Sequence, residues 1–270
     1  MQRSFLKWAG GKYNALPELL KCLPKEGGLL VEPFMGSCTV ALNTNYDRFV
    51  LNDYNSDLVF LCQWVAKRPK EVASLLEDLF SKKNNTKEAF YRLRDRYNYS
   101  IDKKERALLF LYINRHCFNG LMRYNKLGYI NTSFGAYVNP KIPYEELLYF
   151  SKKLKNAVFT CGNFENVRFR VDPLCLTSIY SDPPYLPKEK NASVVSYTKL
   201  GFKKEQHISL NRASRKWKQR ASGVWLSNHD VPVVAECYKD GVSASQFLVR
   251  RSISSKGSDR APAKEIILSY

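Results

Sequence analysis

Short, largely apolar runs, separated in most places by stretches of helical periodicity, constrain the fold of this chain more than any other feature. Seven runs are predicted to be strands: residues 29–31, 48–52, 157–161, 176–181, 223–228, 246–251 and 265–269. Runs that are apolar throughout, rather than at alternate positions, suit strands buried on both faces. The pattern therefore predicts an α/β protein built on a mostly parallel sheet.

The connection between the last two runs sets the direction of the final strand. Only a polar, glycine-containing loop separates residues 246–251 from residues 265–269, and no helix fits there. Neighbouring strands joined without a crossover helix pair antiparallel. We therefore expect a doubly wound sheet of about seven strands, six in crossover units and the last one reversed.

Residues 56–144 break this pattern and are interpreted as a helical insertion. The α/β core would then consist of residues 1–55 and 145–270. The expected helices of the insertion cover residues 57–66, 70–80, 86–97 and 103–115. A segment rich in glycine, asparagine and aromatic residues follows over residues 117–140, and it is expected to form a hairpin or a loop.

Helix starts can be predicted from the spacing of capping residues. Asn85 with Glu88 has the spacing of a capping box, and so has Asp102 with Glu105. Asp230 follows the predicted strand at residues 223–228, and we expect it to cap the next helix.

The chain carries a strong excess of positive charge. Its 43 lysines and arginines outnumber its 25 aspartates and glutamates, which gives a formal net charge of +18. Such a balance repels itself in a folded domain, so a polyanionic partner is favoured over a merely soluble basic protein. Charge alone does not separate DNA from RNA or from an anionic membrane.

Cysteine usage and the lack of long apolar runs indicate where the protein works. The seven cysteines are odd in number and include no C-x-x-C pair, which argues against a zinc site and against a disulfide framework. His116, His207 and His229 lack the spacing of metal ligands as well. No apolar run approaches the roughly 20 residues of a membrane span, and there is no signal-peptide core, so a cytoplasmic protein is expected.

The segment Asp182-Pro183-Pro184-Tyr185 carries the most chemical information. It follows the predicted strand at residues 176–181, at the carboxyl end where ligands bind in open α/β sheets. Its prolines remove backbone donors and leave carbonyls free to accept hydrogen bonds. A carboxylate and a carbonyl that each accept one N–H can hold an aromatic amine close to tetrahedral, with its lone pair aimed at an electrophilic methyl group. Tyr185 can stack on a planar base. The alternative is a polar turn that ends a strand.

Two glycine-containing segments suit a nucleotide-like cofactor. Residues 7–12 contain paired glycines, which allow close backbone approach to a ligand, although an N-terminal arm with a turn is the alternative. Residues 32–37 place Gly36 in the first strand-to-helix loop, without the G-x-G-x-x-G pattern of a dinucleotide enzyme. Asp53 ends the second predicted strand, where it can accept hydrogen bonds from a ribose or cap the following helix.

Two further segments suit a nucleic acid. Residues 118–124 are aromatic, flexible and basic; an arginine can bond guanine O6 and N7 together, and an aromatic side chain can slip between bases. Residues 250–257 offer charges and hydroxyls for phosphates. The alternatives are an aromatic loop packed on the insertion and a solvated hairpin loop.

Taken in chain order, these segments resemble the Dam-type DNA adenine-N6 methyltransferases, a family that methylates adenine within GATC. The resemblance covers nearly the whole chain. Five stretches carry it: residues 5–12, 32–36 with 52–58, 114–135, 181–185 and 250–257. Residues 227–230 also look like the family. A single motif of this length is weak evidence, whereas five in the family's order are highly specific.

The resemblance implies a Rossmann-like methyltransferase sheet with an inserted helical target-recognition domain at residues 56–144 and a DNA-reading hairpin at about 117–138. It implies S-adenosyl-methionine as cofactor, S-adenosyl-homocysteine as product, no metal, and a flipped adenine in double-stranded DNA. It also leads us to expect a monomer in solution. The implied catalytic residues are Asp182, Pro183, Pro184 and Tyr185. The implied cofactor contacts are Trp8, Ala9, Gly10, Lys12, Phe34, Gly36, Asp53 and Asp182.

The resemblance also implies how DNA is read. Lys7 and Arg123 would read guanines, and Leu121 would meet the thymine. Phe118 and Asn119 would wedge into the duplex. The remaining implied DNA contacts are Tyr124, Ser133, Tyr137, Arg250, Arg251, Ser252 and Ser254.

Three positions depart from the family's pattern. Cys38 stands where the family often has a second glycine. Ser133 and Ala136 replace residues that are commonly proline and arginine in the closest relatives, and Ser133 lies near the expected thymine contact.

Three other functions stay open at this point. They are a methyltransferase acting on RNA or on a protein amide, a DNA-binding protein that has lost catalysis, and a nuclease reading the same site. Glutamine methylases use a similar turn, usually with asparagine in place of Asp182. The intact turn argues against lost catalysis, and the sequence shows no cluster of metal-binding carboxylates that would favour a nuclease.

Overall fold

The computed structural model describes residues 1–186, 202–249 and 263–270, and their strands form one seven-stranded sheet. The strands are β1 (Glu26–Glu32), β2 (Asn45–Asp53), β3 (Val158–Cys161), β4 (Thr177–Ser181), β5 (Gly223–His229), β6 (Val242–Val249) and β7 (Ala263–Ser269). Their order across the sheet is β3-β2-β1-β4-β5-β7-β6. Strands β1 to β5 pair parallel, whereas β7 is antiparallel to both β5 and β6. The predicted sheet with a reversed last strand is confirmed.

The largest differences from the sequence-based bounds are the early starts of β1, β2 and β6. β1 begins at Glu26, three residues early, because it already pairs with β2 there. Gly27 permits this close pairing, since a Cβ there would lie 2.8 Å from Cε1 of Tyr46, its partner in β2. β6 begins at Val242 rather than at residue 246, and residues 250 and 251 of the predicted strand lie outside the described residues.

The central strands of the sheet are buried on both faces, whereas β3 and β6 at its edges are partly exposed, so the expected burial of both faces is wrong for β3. Leu30 of β1 belongs to one hydrophobic cluster, which continues into the helices of the predicted insertion. Leu29 and Val31 belong to a second cluster on the opposite face. Because neighbouring residues of a strand point to opposite faces, β1 supplies both clusters, and the sheet forms the centre of the core.

Helices cover the sheet and fill the insertion. They are α1 (Leu16–Cys22), α2 (Thr39–Leu42), α3 (Ser56–Lys67), α4 (Pro69–Leu76), α5 (Lys87–Tyr99), α6 (Lys103–His116), α7 (Tyr144–Leu154), α8 (Lys204–Lys218) and α9 (Pro232–Cys237). The four helices predicted between residues 56 and 144 are present as α3 to α6. α4 ends four residues earlier than predicted, because the side chains of Ser81 and Asn84 bond to the Asp78 carbonyl and turn the chain. Within the three described ranges, no helix is long and apolar enough to cross a membrane.

Hydrogen bonds at the helix starts confirm one predicted cap and correct two others. Asp102 caps α6 by accepting a backbone N–H at 2.7 Å. The reciprocal half of the predicted capping box is replaced, since the Glu105 side chain bonds to Arg96 and the Asp102 N–H to Ser100. The prediction for Asn85 is wrong: its amide donates to the Tyr137 carbonyl at 2.8 Å, and Thr86 caps α5 instead. The prediction for Asp230 is wrong as well. α9, which is described in full, has no side-chain cap, and its first residue is a proline without an N–H.

Candidate active site and DNA interface

Three parallel strands end side by side at one edge of the sheet, and each brings an acidic residue there. β1 ends at Glu32, β2 ends at Asp53, and β4 ends directly before Asp182. Ligands bind at the carboxyl ends of strands in open α/β sheets. The candidate active site is therefore built at this edge.

An ion pair joins the acidic turn to the N-terminal segment. The Lys12 ammonium lies 2.9 Å from Asp182 Oδ1, and it also donates to the Gly10 carbonyl at 2.8 Å. Lys12 is only 7% exposed, so the pair is shielded from water. Burial raises the pKa of Asp182 to about 6, and the positive charge of Lys12 keeps it from rising further. Two segments that are distant in the sequence therefore meet in space.

The phenol of Tyr185 is held by three neighbours. Its hydroxyl donates to Glu265 Oε2 at 3.0 Å. The Lys12 ammonium lies 4.7 Å from the centroid of the Tyr185 ring. The ring of His229 stands nearly perpendicular to it, with 4.8 Å between the centroids. Burial raises the pKa of the Tyr185 hydroxyl well above its ordinary value, so the group keeps its proton.

The sequence analysis gave no role to three residues of this edge. Glu32 and His229 lie in segments that resemble the family, and Glu265 was placed only in a strand. An isolated acid within the apolar run of β7 was the signal that could have pointed to Glu265. Glu32 is buried and accepts the N–H of Ala41 at 2.8 Å. Burial raises the pKa of Glu32 to about 8, and the charge of Asp182 adds to the effect, so Glu32 is mostly protonated at neutral pH.

The loop after β1 is tied to the end of β2. Gly36 has a left-handed φ of 46°, and its N–H donates to Asp53 Oδ2 at 3.0 Å. A Cβ on Gly36 would lie 3.2 Å from the indole nitrogen of Trp8, so the glycine lets Trp8 pack closely against the loop. Asn55 caps α3 with its own side chain, which excludes the capping alternative for Asp53. Burial raises the pKa of Asp53 above its ordinary value.

The remaining expected cofactor contacts surround this loop. Phe34 packs against Phe164 with 5.3 Å between ring centroids. Ala9 is half-buried, and the exposed Gly10 next to it has a φ of 78° with open space where a Cβ would stand. Cys38 keeps the glycine-like backbone of the family pattern, since its φ is 56°, and its side chain is buried.

The segment after α6 is a hairpin, as one of the two sequence-based alternatives proposed. Antiparallel bridges join Cys117 to Phe134 and Tyr124 to Ile130. Ala136, near the end of the hairpin, has a φ of 51°. Two separate bridges therefore join the arms of the hairpin before the chain enters α7.

Side chains of the hairpin divide into an exposed set and an internal set. Phe118 is 49% exposed, and Arg123 and Ser133 are exposed as well. Leu121 is 8% exposed. The Tyr124 hydroxyl accepts a hydrogen bond from the residue that caps α3, at 3.1 Å. Of these expected DNA contacts, the structure brings three to the surface and turns Leu121 and Tyr124 inward.

Lys7 lies against the hairpin. Asn114 holds it with two hydrogen bonds, to the Lys7 carbonyl at 2.6 Å and from the Lys7 N–H at 2.9 Å. The Lys7 ammonium lies 4.0 Å from the centroid of Tyr137, whose hydroxyl accepts the Asn119 N–H at 3.0 Å. Burial lowers the pKa of Lys7, and the charge of Arg115 lowers it further. A cavity of about 450 Å³ opens here, lined by Lys7, Arg115, Tyr137, Val138, Asn139, Pro140 and Lys141.

Four of the predicted DNA contacts belong to the part of the chain that the structure does not describe. Arg250, Arg251, Ser252 and Ser254 lie outside the described residues. Among the residues that are described, no group of three or more histidine, cysteine, aspartate or glutamate side chains is arranged to hold a metal ion.

A Rossmann-like sheet that carries Asp-Pro-Pro-Tyr at the end of β4 is consistent with the class of methyltransferases. The sequence model of the D12 class N6 adenine-specific DNA methyltransferases matches residues 8–253. The chain is 40% identical over 268 residues to the DNA adenine methylase of Escherichia coli strain K12, covering 99% of this chain and 95% of that protein. It is 39% identical over 268 residues to the DNA adenine methylase of Salmonella typhi, with the same coverage. The chain therefore belongs to the D12 class of N6 adenine-specific DNA methyltransferases, and it is an enzyme that methylates adenine in DNA.

Proposed function

We propose that the enzyme transfers the methyl group of S-adenosyl-methionine to N6 of an adenine rotated out of double-stranded DNA, within the sequence GATC. The observation that carries this proposal is the 2.9 Å contact between Lys12 Nζ and Asp182 Oδ1. It joins the segment that the family resemblance assigns to the cofactor with the turn that it assigns to the target base. Methyl transfer requires the two substrates to be held side by side.

The residues at the strand ends fit S-adenosyl-methionine by their chemistry. Asp53, half-buried at the end of β2, is an acceptor suited to ribose hydroxyls. Phe34 offers an aromatic surface to an adenine ring. Gly10 leaves open the space that a side chain would fill. The proposed cofactor contacts are Trp8, Ala9, Gly10, Lys12, Phe34, Gly36, Asp53 and Asp182.

The acidic turn prepares the amine for reaction. When bound, S-adenosyl-methionine supplies a methyl group that its positively charged sulfur makes electrophilic. The Asp182 carboxylate accepts one N6–H and the Pro183 carbonyl accepts the other, which orients the lone pair of the amine. Because the pKa of Asp182 is about 6, the carboxylate is ionised at neutral pH. Pro184 stiffens the turn, and Tyr185 stacks on the base.

Target recognition is assigned to residues 56–144, and catalysis to residues 1–55 with 145–270. Adenine N6 is unreachable inside the base stack, so the nucleotide has to be flipped out. The exposed Phe118, together with Asn119, is suited to wedge between base pairs as this happens.

Base reading is assigned to the hairpin and the N-terminal segment. Arg123 is exposed and reads one guanine, while Lys7 reads the other. Leu121 meets the thymine methyl group, which requires the hairpin to uncover this side chain on DNA. The other proposed DNA contacts are Tyr124, Ser133, Tyr137, Arg250, Arg251, Ser252 and Ser254.

One experiment tests the reaction and the site together. The purified protein is incubated with unmethylated DNA and S-adenosyl-methionine, and the DNA is then digested with endonucleases that are blocked by, or dependent on, N6-methyladenine in GATC. We expect resistance to the first kind and cleavage by the second. Equal methylation of adenines in other sequences would overturn the site assignment, and labelled methyl appearing in RNA or protein rather than DNA would overturn the substrate.

A variant of the turn tests the role of Asp182. Asp182→Asn removes the charge at nearly constant size and should lower methyl transfer by about 100-fold or more. Asp47→Asn, at an exposed position of β2, is the matched control and should retain wild-type turnover. Near-normal turnover of a folded Asp182→Asn protein would contradict the assigned role.

A further inference from the structure

One pair of residues, to which the sequence analysis gave no role, lies where β5 and β7 pair antiparallel. His229 and Glu265 are direct partners in the register of these two strands. Side chains of directly opposed residues lie on the same face of a sheet, within about 4.5–5.5 Å between Cβ atoms. The two side chains therefore form one unit at the sheet edge that carries the acidic turn.

Each member of the pair holds a different part of the acidic turn. Glu265 accepts the hydroxyl hydrogen of Tyr185 at 3.0 Å. His229 Nδ1 lies 2.8 Å from the carbonyl oxygen of Leu186, and because a carbonyl only accepts, the ring nitrogen is the donor. The His229 ring also stands at 77° to the Tyr185 ring. The side chain of Tyr185 and the backbone that follows it are thus fixed by the same cross-strand pair.

The hydrogen bond from Tyr185 is important for Glu265 because the Glu265 carboxylate is buried. Glu265 is 8% exposed and belongs to a strand that is otherwise largely apolar. Burying a carboxylate is costly unless hydrogen bonds compensate. The hydroxyl of Tyr185 supplies such a bond, and a hydrogen bond to a charged acceptor is among the stronger ones in proteins.

We propose that His229 and Glu265 are positioning residues that set the plane of the Tyr185 ring and the path of the turn, so that the adenine stacks with N6 in line for transfer. This inference rests on the proposed stacking of the base on Tyr185. A tyrosine ring turns about two side-chain bonds, and a bond to its distal hydroxyl restrains both. Small errors in the orientation of a reacting group lower the rate of the chemical step more than they weaken binding.

A double-mutant cycle tests the Glu265 half of the proposal. Tyr185→Phe removes the hydroxyl, Glu265→Gln removes the charge, and the third protein carries both changes. We expect each single change to lower kcat about tenfold, with little effect on KM for DNA. The double variant should be no slower than the slower single variant, because both changes break the same contact.

The matched control is Tyr46→Phe. Tyr46 is buried, and its hydroxyl bonds to Ser178 at 2.7 Å, near the start of β4 and away from the acidic turn. This variant also loses a buried hydroxyl bond, so it measures the general effect of such a loss, and its kcat should stay at the wild-type value. Additive losses in the cycle, or an unchanged kcat in Glu265→Gln, would overturn the proposal.

The His229 half is tested separately, which keeps the proposal testable even if a Glu265 variant fails to fold. His229→Asn retains a side-chain N–H donor for the Leu186 carbonyl, whereas His229→Ala does not. We expect kcat of the asparagine variant to exceed that of the alanine variant, and equal values would count against the proposal. Wild-type protein without adenine methylation on DNA would instead refute the proposed function itself.

Discussion

The Lys12 ammonium lies 2.9 Å from a carboxylate oxygen of Asp182, and this contact joins the N-terminal segment to the turn after β4. Both side chains are largely shielded from solvent. In such surroundings a charge that loses its partner is destabilised strongly. Lys12 therefore determines at which pH Asp182 can act as a hydrogen-bond acceptor.

Replacing Lys12 should move the pH dependence of methylation. Burial raises the pKa of Asp182 to about 6, and Lys12 opposes that shift. Since the ionised form is the acceptor, wild-type kcat should fall as the pH drops through about 6. In Lys12→Met the pKa of Asp182 rises, so the fall should begin at a higher pH. A pH profile at saturating cofactor checks this, with the exposed Lys21→Met as control. An unchanged acid limb would contradict the role of the ion pair.

The central strands could be predicted from the sequence because each is a continuous apolar run that is buried on both faces. β3 lies at the edge of the sheet and is partly exposed, so its apolar run predicted a strand but not the burial of that strand. The polar, glycine-containing sequence between the last two apolar runs predicted the reversal of β7. The residue that caps α5 was harder to predict, because Asn85 and Thr86 are adjacent and both can cap a helix. The Tyr137 carbonyl, from the end of the hairpin, bonds to Asn85 and decides between them.

Site residues could be predicted where they form a motif within one segment. They could not be predicted where single residues of different strands meet only in the folded protein. The Asp-Pro-Pro-Tyr turn is contiguous, so its position at a strand end could be inferred. His229 and Glu265 meet only through the register of β5 and β7, which the sequence does not specify. Burial of Glu32 likewise depends on packing around the end of β1.

Glu32 should make the stability of the protein depend on pH. Burial raises its pKa from an ordinary 4.5 to about 8, so the folded state holds this proton where the unfolded state has lost it. The contribution is complete below pH 4.5 and is lost as the pH rises through about 8. Glu32→Gln cannot titrate but keeps an acceptor for Ala41. Its free energy of unfolding should therefore decline less between these pH values.

Denaturant melts at several pH values measure this difference. The exposed Glu77→Gln is the control and should follow the wild-type curve. Parallel curves for wild type and Glu32→Gln across the whole range would show that Glu32 is not the titrating group.

Comparing the stability of the alanine and glycine variants at position 38 should show that the backbone of Cys38 is strained. Its φ of 56° is readily adopted by glycine and unfavourable for residues with a Cβ. Cys38→Ala and Cys38→Gly both lose the buried sulfur, so their difference isolates the effect of the Cβ. We expect the glycine variant to be more stable by about 1 kcal/mol. Urea unfolding of the two variants decides, and a more stable alanine variant would contradict the strain.

Arg123 should govern sequence discrimination more than affinity. It is exposed on the hairpin, so Arg123→Ala should leave the fold unchanged. Loss of a bidentate contact to guanine should reduce discrimination at one base pair by about 1–3 kcal/mol.

Lys126→Ala, at an exposed position of the same hairpin, is the matched control for charge. If Lys126 contacts phosphate, its loss weakens binding to all sequences alike and lowers the salt dependence. Methylation rates on duplexes with single substitutions in GATC separate the two effects, and an unchanged preference in Arg123→Ala would remove this residue from base reading.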